Sequence, residues 1–130
     1  MKVAIYSRGN DQDLKEELEE LVSKLCNNNV EVLLHFSLSR FIKLENNKRI
    51  SFFSGHEELN NTVDFLISLG GDGTILDTVT LVRNKNIPIL GINYGRLGFL
   101  AGISKDEMGL AVDALINTRY VIDKRSLIHL

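Results

Sequence analysis

Apolar and polar positions alternate along this chain in two rhythms. Leu14, Leu18, Leu21, Val22 and Leu25 recur at helical spacing while Asp13, Lys15, Glu16, Glu17, Glu19 and Glu20 fall on the other faces, which predicts an amphipathic helix. Asn10 or Asp11 is its expected N-cap, and Asn27-Asn28-Asn29 its exit. The short run Met1-Lys2-Val3-Ala4-Ile5-Tyr6 before the helix reads as a first strand, and residues 30–36 after it read as a second. Both strands are apolar on both faces. That pattern points to a parallel sheet covered by helices on each side, because a half-exposed sheet would show alternation.

Residues 37–55 interrupt the pattern, with polar Glu45-Asn46-Asn47-Lys48-Arg49 between short apolar runs, so an excursion or small hairpin is expected there. The strand and helix rhythm then returns. Residues 63–69 form an apolar strand, Gly70-Gly71-Asp72-Gly73-Thr74 a turn, and Ile75, Leu76, Val79 and Val82 the apolar stripe of a helix. A further strand is expected over 87–92, with the only proline near its start, followed by a glycine-containing loop over 93–102. Ser104-Lys105-Asp106-Glu107 has capping-box spacing, and Met108, Ala111, Val112 and Leu115 supply the face of a last helix. The fold class is therefore α/β, a three-layer, Rossmann-like parallel sheet flanked by helices. Residues 119–130 look like strand material that stops in mid-pattern. They are expected to open a second domain after a first one over 1–118.

Composition narrows the field. With 130 residues, 44% hydrophobic and 25% charged, the chain can bury one sizeable core but not two ordinary ones. A formal net charge of -2 gives no general reason to expect nucleic acid or an anionic membrane as partner, so any phosphate binding must be local. The apolar run at the start is too short for a membrane span or a signal peptide. Cys26 is the only cysteine and lies on the apolar helix face, which reads as core filler and suits a reducing, cytoplasmic setting. His35, His56 and His129 have no spacing that makes a metal site.

Two segments carry candidate chemistry. A strand that feeds a helix through Gly70-Gly71-Asp72-Gly73-Thr74 brings backbone amides at the helix start up to an anion without Cβ atoms in the way. Asp72 is the only ionisable group in that turn, at a sheet edge where ligands bind in open α/β folds. Phosphoryl transfer rests on positioning and charge stabilisation, with a carboxylate that takes a proton from the attacking hydroxyl, and Asp72 fits that general base. The competing reading is structural: the glycines make a tight turn and Asp72 caps the helix, or Thr74 is the N-cap with Asp77 at capping-box spacing. The second segment is Gly91-Ile92-Asn93-Tyr94-Gly95-Arg96-Leu97-Gly98-Phe99-Leu100, beyond the next strand and so beside the first turn. Asn93 donates and accepts hydrogen bonds, Gly95 admits a ligand closely, and Phe99 either faces an aromatic ring of a ligand or packs in the core. Arg96 reads either as a phosphate contact or as a solvated side chain.

Leu69-Gly70-Gly71-Asp72-Gly73-Thr74-Ile75-Leu76 followed by the loop from Gly91 to Leu100 resembles the N-terminal domain of the NAD kinases, and the likeness covers most of the chain. The first motif alone is shared with diacylglycerol, sphingosine and phosphofructokinase relatives. The second loop narrows it. The resemblance implies a phosphofructokinase-like fold and transfer of a phosphoryl group from ATP, or polyphosphate in some members, to the adenosine ribose 2′-hydroxyl of NAD, with a divalent metal such as magnesium. It also implies that Asp72 takes the hydroxyl proton, that Gly71, Gly73 and Thr74 lie along the phosphates, and that Leu76 and Phe99 help enclose the dinucleotide. Asn93 and Gly95 join that binding set. Asp77 departs from the pattern, since many relatives carry a basic residue there. The family continues into a β-rich domain bearing an Asn-Glu motif, whose opening Lys124-Arg125 resembles, so a chain ending at Leu130 is expected to be inactive by itself and the full-length protein to be a homo-oligomer. The alternatives are a lipid or sugar kinase with the same glycine motif and a non-catalytic nucleotide-binding domain.

Overall fold

The computed structural model of the chain describes residues 1–8, 12–42, 48–93, 103–104, 107–117, 121–122 and 128–129, and every statement below concerns these. The expected caps Asn10 and Asp11, the loop residues Gly95, Arg96, Phe99 and Leu100, and Lys124-Arg125 lie outside them. Elements follow in the order β1 (Lys2–Tyr6), α1 (Gln12–Asn27), β2 (Glu31–His35), β3 (Ile50–Phe53), β4 (Phe65–Leu69), α2 (Asp72–Val82), β5 (Ile89–Asn93), β6 (Ile103–Ser104), α3 (Met108–Ile116), β7 (Val121–Ile122) and β8 (Ile128–His129). Short 3-10 turns at Phe36–Phe41 and His56–Glu58 flank β3.

β1 to β6 form one sheet in the spatial order β3-β2-β1-β4-β5-β6, and every pairing in it is parallel. Strand direction and register sort the side chains into two layers, since successive residues face opposite sides. Val3 and Ile5 of β1, Val32 and Leu34 of β2, and Phe65 and Ile67 of β4 pack with Leu14, Leu18, Leu21 and Leu25 of α1 and with Met108, Ala111, Val112 and Leu115 of α3. Ala4, Leu33, Leu66 and Ile89 face the other way, onto Ile75 and Val82 of α2 and onto Leu59 and Val63. All five residues of β4 are buried, as a central strand covered on both faces requires. β7 and β8 pair antiparallel in a second, two-stranded sheet.

The exit of α1 shows why three asparagines end it. Asn29 takes φ 63°, Asn29 N–H bonds to Cys26 O at 3.1 Å and Val30 N–H to Leu25 O at 3.0 Å, which closes the helix in a Schellman arrangement and sends the chain straight into β2.

Three expectations need correction. The excursion over 37–55 contains a parallel edge strand rather than a hairpin: β3 pairs with β2 through Leu34↔Phe52 and His35↔Phe53. On α2 the stripe is rotated, because Leu76 and Val79 are 59% and 49% exposed while Thr74 and Thr78 are buried with Ile75 and Val82. Thr78 tolerates burial because its hydroxyl donates to Ile75 O at 2.6 Å. Finally, the cap of α3 is Glu107, without a side-chain cap bond, whereas Ser104 is held in the sheet opposite Asn93 and cannot cap a helix that starts at Met108.

Candidate functional site

The strand order reverses between β1 and β4, since β2 and β3 build outward on one side of that pair and β5 and β6 on the other. In open α/β sheets the carboxyl ends of the strands at such a point leave a crevice between diverging connections. Two segments meet there: Tyr6, Ser7 and Arg8 at the end of β1, and 70–74 at the end of β4.

Gly70 makes the turn. Its φ of 152° is rarely adopted by residues with a side chain, a Cβ at this position would lie 2.5 Å from Thr74 Oγ1, and its N–H is tied to Ile92 O at 2.8 Å. Gly71 is the N-cap of α2, with extended backbone and no side-chain cap bond, so Thr74 is not the cap; it sits inside the first turn, 3% exposed. The first helical bond here runs from Ile75 N–H to Gly71 O at 3.2 Å. The amides before it have no carbonyl to bond to within the helix, and they carry the positive end of its dipole. Among the described residues a Cβ on Gly71 would meet nothing within 4 Å, so they leave the approach to this end open. Asp72 is the first residue of α2 and the acid of its first turn, where the dipole favours a carboxylate.

Asp77, one turn and a half further on, is not an isolated acid. Arg8 grips it bidentately, Nε to Oδ2 and Nη2 to Oδ1 both at 2.8 Å, and the Tyr6 hydroxyl donates to Oδ2 at 2.8 Å. Arg8 chiefly, with help from Tyr6, holds the Asp77 carboxyl below its ordinary value against the opposing effect of burial. Burial first, then the bond and the charge of Asp77, push the Tyr6 hydroxyl up to about 12. Tyr6 is itself wedged edge-on against His35, which packs edge-on against Phe53, with centroids 5.0 and 5.2 Å apart. Burial lowers the His35 imidazole, and its Nδ1 accepts from Ser37 N–H at 3.2 Å.

The structure thus places Gly71, Asp72, Gly73 and Thr74 consecutively across the turn and the start of α2, with Leu76 exposed just beyond buried Ile75. Asn93 ends β5, one residue after the carbonyl that anchors Gly70, while Gly95 and Phe99 fall outside the described residues. Tyr6 and Arg8 escaped the sequence reading. The signal that could have found them is a basic residue directly after the first strand of a doubly wound unit, hence at the same sheet edge as the glycine turn. Among the described residues no group of three His, Cys, Asp or Glu could hold a metal, and Asp77 is already engaged. Asp72, the acid of the first turn of α2, is the carboxylate of this turn that could reach a divalent cation carried by phosphate groups. A hollow of about 570 Å³ between α1 and residues 40–42 includes no residue of the turn.

A doubly wound parallel sheet with a glycine-rich helix start at its switch point is an architecture found in nucleotide-binding α/β domains. Its kinship is specific. Residues 3–120 match the family described as the ATP-NAD kinase N-terminal domain, and the chain belongs to that family. It is 36% identical over 130 residues to the NAD kinase of Christiangramia forsetii, covering 98% of this chain and 44% of that protein, and 37% identical over 134 residues to that of Flavobacterium psychrophilum, covering 100% and 45%. Among solved structures, yeast NADH kinase complexed with NADH aligns with a TM-score of 0.77 at 26% identity, over 92% of this chain and 37% of the yeast chain. The chain spans less than half the length of these relatives.

Proposed function

We propose that this chain is the phosphoryl-transfer half of an NAD kinase, which moves the γ-phosphoryl group of ATP to the adenosine ribose 2′-hydroxyl of NAD. The observation that carries the reading is the position of Asp72, the acid at the open amino end of α2, in a chain whose family is that of NAD kinases. Asp72 takes the proton of the 2′-hydroxyl, the freed oxygen forms the new bond to phosphorus, and ADP leaves with the electrons of the broken bond. Gly71, Gly73 and Thr74 supply the amides along the phosphates. Leu76, Asn93, Gly95 and Phe99 bind the dinucleotide, a role for which the exposure of Leu76 leaves room. A divalent cation, magnesium by preference, would neutralise charge on the transferred group.

The antiparallel pairing of β7 with β8 supports a division in which 1–118 form the nucleotide-binding domain and 119–130 begin a β-rich one. Since less than half of the relatives' length is matched, residues 1–130 are expected to be inactive by themselves. The proposal extends to a cytoplasmic homo-oligomer for the full-length protein, by analogy with the family. No described helix is long and apolar enough to cross a membrane.

The test is turnover by the full-length protein, offered NAD and ATP beside a diacylglycerol, a sphingoid base and fructose 6-phosphate. NADP formation is expected, and Asp72→Asn should cut it by roughly 10²- to 10⁴-fold with an unchanged unfolding midpoint. Undiminished turnover in that variant removes Asp72 as the base, and phosphorylation of a lipid or sugar in place of NAD removes the substrate.

A further inference from the structure

Arg8 is held in a particular direction. A guanidinium presents its N–H groups in one plane, and here the edge carrying Nε and Nη2 is closed against Asp77, which leaves Nη1 directed away from the carboxylate. Nη1 lies against the first turn of α2: a Cβ on Gly73 would sit 2.7 Å from Nη1 and 3.3 Å from Cζ. The guanidinium therefore occupies the space that any side chain at Gly73 would need. The side chain is 58% exposed at the mouth of the crevice, and among the described residues the edge carrying Nη1 is free, so it is reachable.

Electrostatics makes this arrangement informative. A cation placed at the amino end of a helix is opposed by the dipole, and a bond between β1 and α2 made for stability alone gains nothing from that location. An anion bound at the turn reverses the sign, because it meets the amides of the helix start and the free edge of Arg8 together. Asp77 lies on the far edge, so at contact distance the attraction of Nη1 outweighs the more distant repulsion. Tyr6 in turn fixes Asp77, donating to the oxygen that Arg8 Nε also shares.

We infer that Arg8 binds a phosphate of the nucleotide at the glycine turn through Nη1, and that Asp77 and Tyr6 are positioning residues that aim it. The inference rests on the phosphoryl-transfer reading above and deepens it: α2 offers an acid where a phosphate would need a donor, and that acid recruits the donor from the neighbouring strand. The ligand chemistry is a polyphosphate chain, which both the triphosphate of a donor nucleotide and the diphosphate of a dinucleotide supply.

Calorimetric titration of the full-length protein with inorganic tripolyphosphate, ATP and NAD separates these sources. Arg8→Ala is expected to weaken tripolyphosphate and ATP by about ten- to a hundredfold, the range of a charge-assisted hydrogen bond. A loss confined to NAD assigns Arg8 to the dinucleotide's diphosphate instead and still supports the inference. Arg8→Lys should recover part of the loss, and Asp77→Asn, which removes the charged half of the clamp, should lose several-fold while Arg8 remains. Affinities for all three ligands within twofold of wild type in a folded Arg8→Ala protein overturn the inference and leave Arg8 a structural tie. Where Arg8→Ala loses its cooperative unfolding transition, Arg8→Gln is read by the same criteria. If the wild-type protein does not phosphorylate NAD but binds tripolyphosphate through Arg8, the function fails and this inference stands. NADP formation with Arg8-independent binding does the reverse.

Discussion

Gly70 and Gly71 are neighbours in the turn, yet replacing each with alanine should have opposite consequences. At Gly70 the new methyl meets two obstacles. A φ of 152° lies in a region essentially reserved for glycine, which costs about 1–3 kcal/mol, and the Cβ would stand 2.5 Å from Thr74 Oγ1 and 3.1 Å from Thr74 Cβ. Thr74 is only 3% exposed and cannot swing clear, so overpacking adds about 1–3 kcal/mol. The loss of unfolded-chain entropy returns about 0.4–1 kcal/mol, which leaves a net destabilisation of about 1–5.6 kcal/mol. At Gly71 φ is -98° and no described residue lies within 4 Å of a Cβ. There the same entropic gain is opposed by a loss of about 0.5–1 kcal/mol because alanine is a poor N-cap, and the sum is close to zero. Urea unfolding reads the contrast: with a slope of about 2 kcal/mol per M, Gly70→Ala shifts the midpoint by roughly 0.5–3 M and Gly71→Ala by less than about 0.5 M. Titration with ATP then separates structure from function, because the methyl at Gly71 projects into the open approach to the helix start and should weaken binding about tenfold or more. Equal destabilisation by the two variants would refute the steric reasoning. Undiminished ATP affinity in Gly71→Ala would refute the placement of phosphate at the turn.

Other expectations follow from the same contacts. Tyr6 has its folded pKa raised to about 12 from 10, so its contribution to stability is complete below pH 10 and is lost as pH rises through 12; tyrosinate absorbance should lose its highest-pH step in Tyr6→Phe. Asp77 has its folded pKa lowered, so its contribution is complete above its unfolded value of 3.8 and disappears as pH falls through the folded one; acid unfolding of Asp77→Asn should be less pH-dependent below pH 4. His35 is likewise held below 6.5, in the neutral form that lets Nδ1 accept from Ser37, so stability should fall as pH drops from 6.5. His35→Phe, which keeps an aromatic ring between Tyr6 and Phe53, should flatten that slope in urea titrations at pH 5–7. On α2, Ile75→Ala should cost about 2–5 kcal/mol by the cavity it leaves, whereas Leu76→Ser should change stability by less than about 0.5 kcal/mol, and similar losses would contradict the observed helix face.

Much of this protein was legible in one dimension because its signals are local. The stripe from Leu14 to Leu25 names α1 and its buried face, and every residue of it lies in the core. The glycines of 70–74 announce a strand that turns into a helix, which is what β4 and α2 make. Where a local signal was weak, the reading slipped. β3 is four residues long with an exposed edge, and its identity depends on β2 being beside it. The rotation of α2 was hidden because Thr74 and Thr78 look polar until Thr78 is seen to spend its hydroxyl on the helix's own carbonyl.

By itself, then, the sequence determined the alternation of strands and helices, the buried faces of α1 and α3, and the presence of an anion-ready turn around Asp72, since each depends on periodicity or backbone freedom within a few residues. Only the tertiary structure decided which strands are neighbours, and with that where the crevice lies. It also turned Asp77 from an unexplained acid into the clamp of Arg8. The two residues are 69 positions apart and meet because β1 and β4 are adjacent at the point where the strand order reverses. Charge complementarity over such a separation leaves no trace in local pattern, because it is created by the packing of one strand beside another.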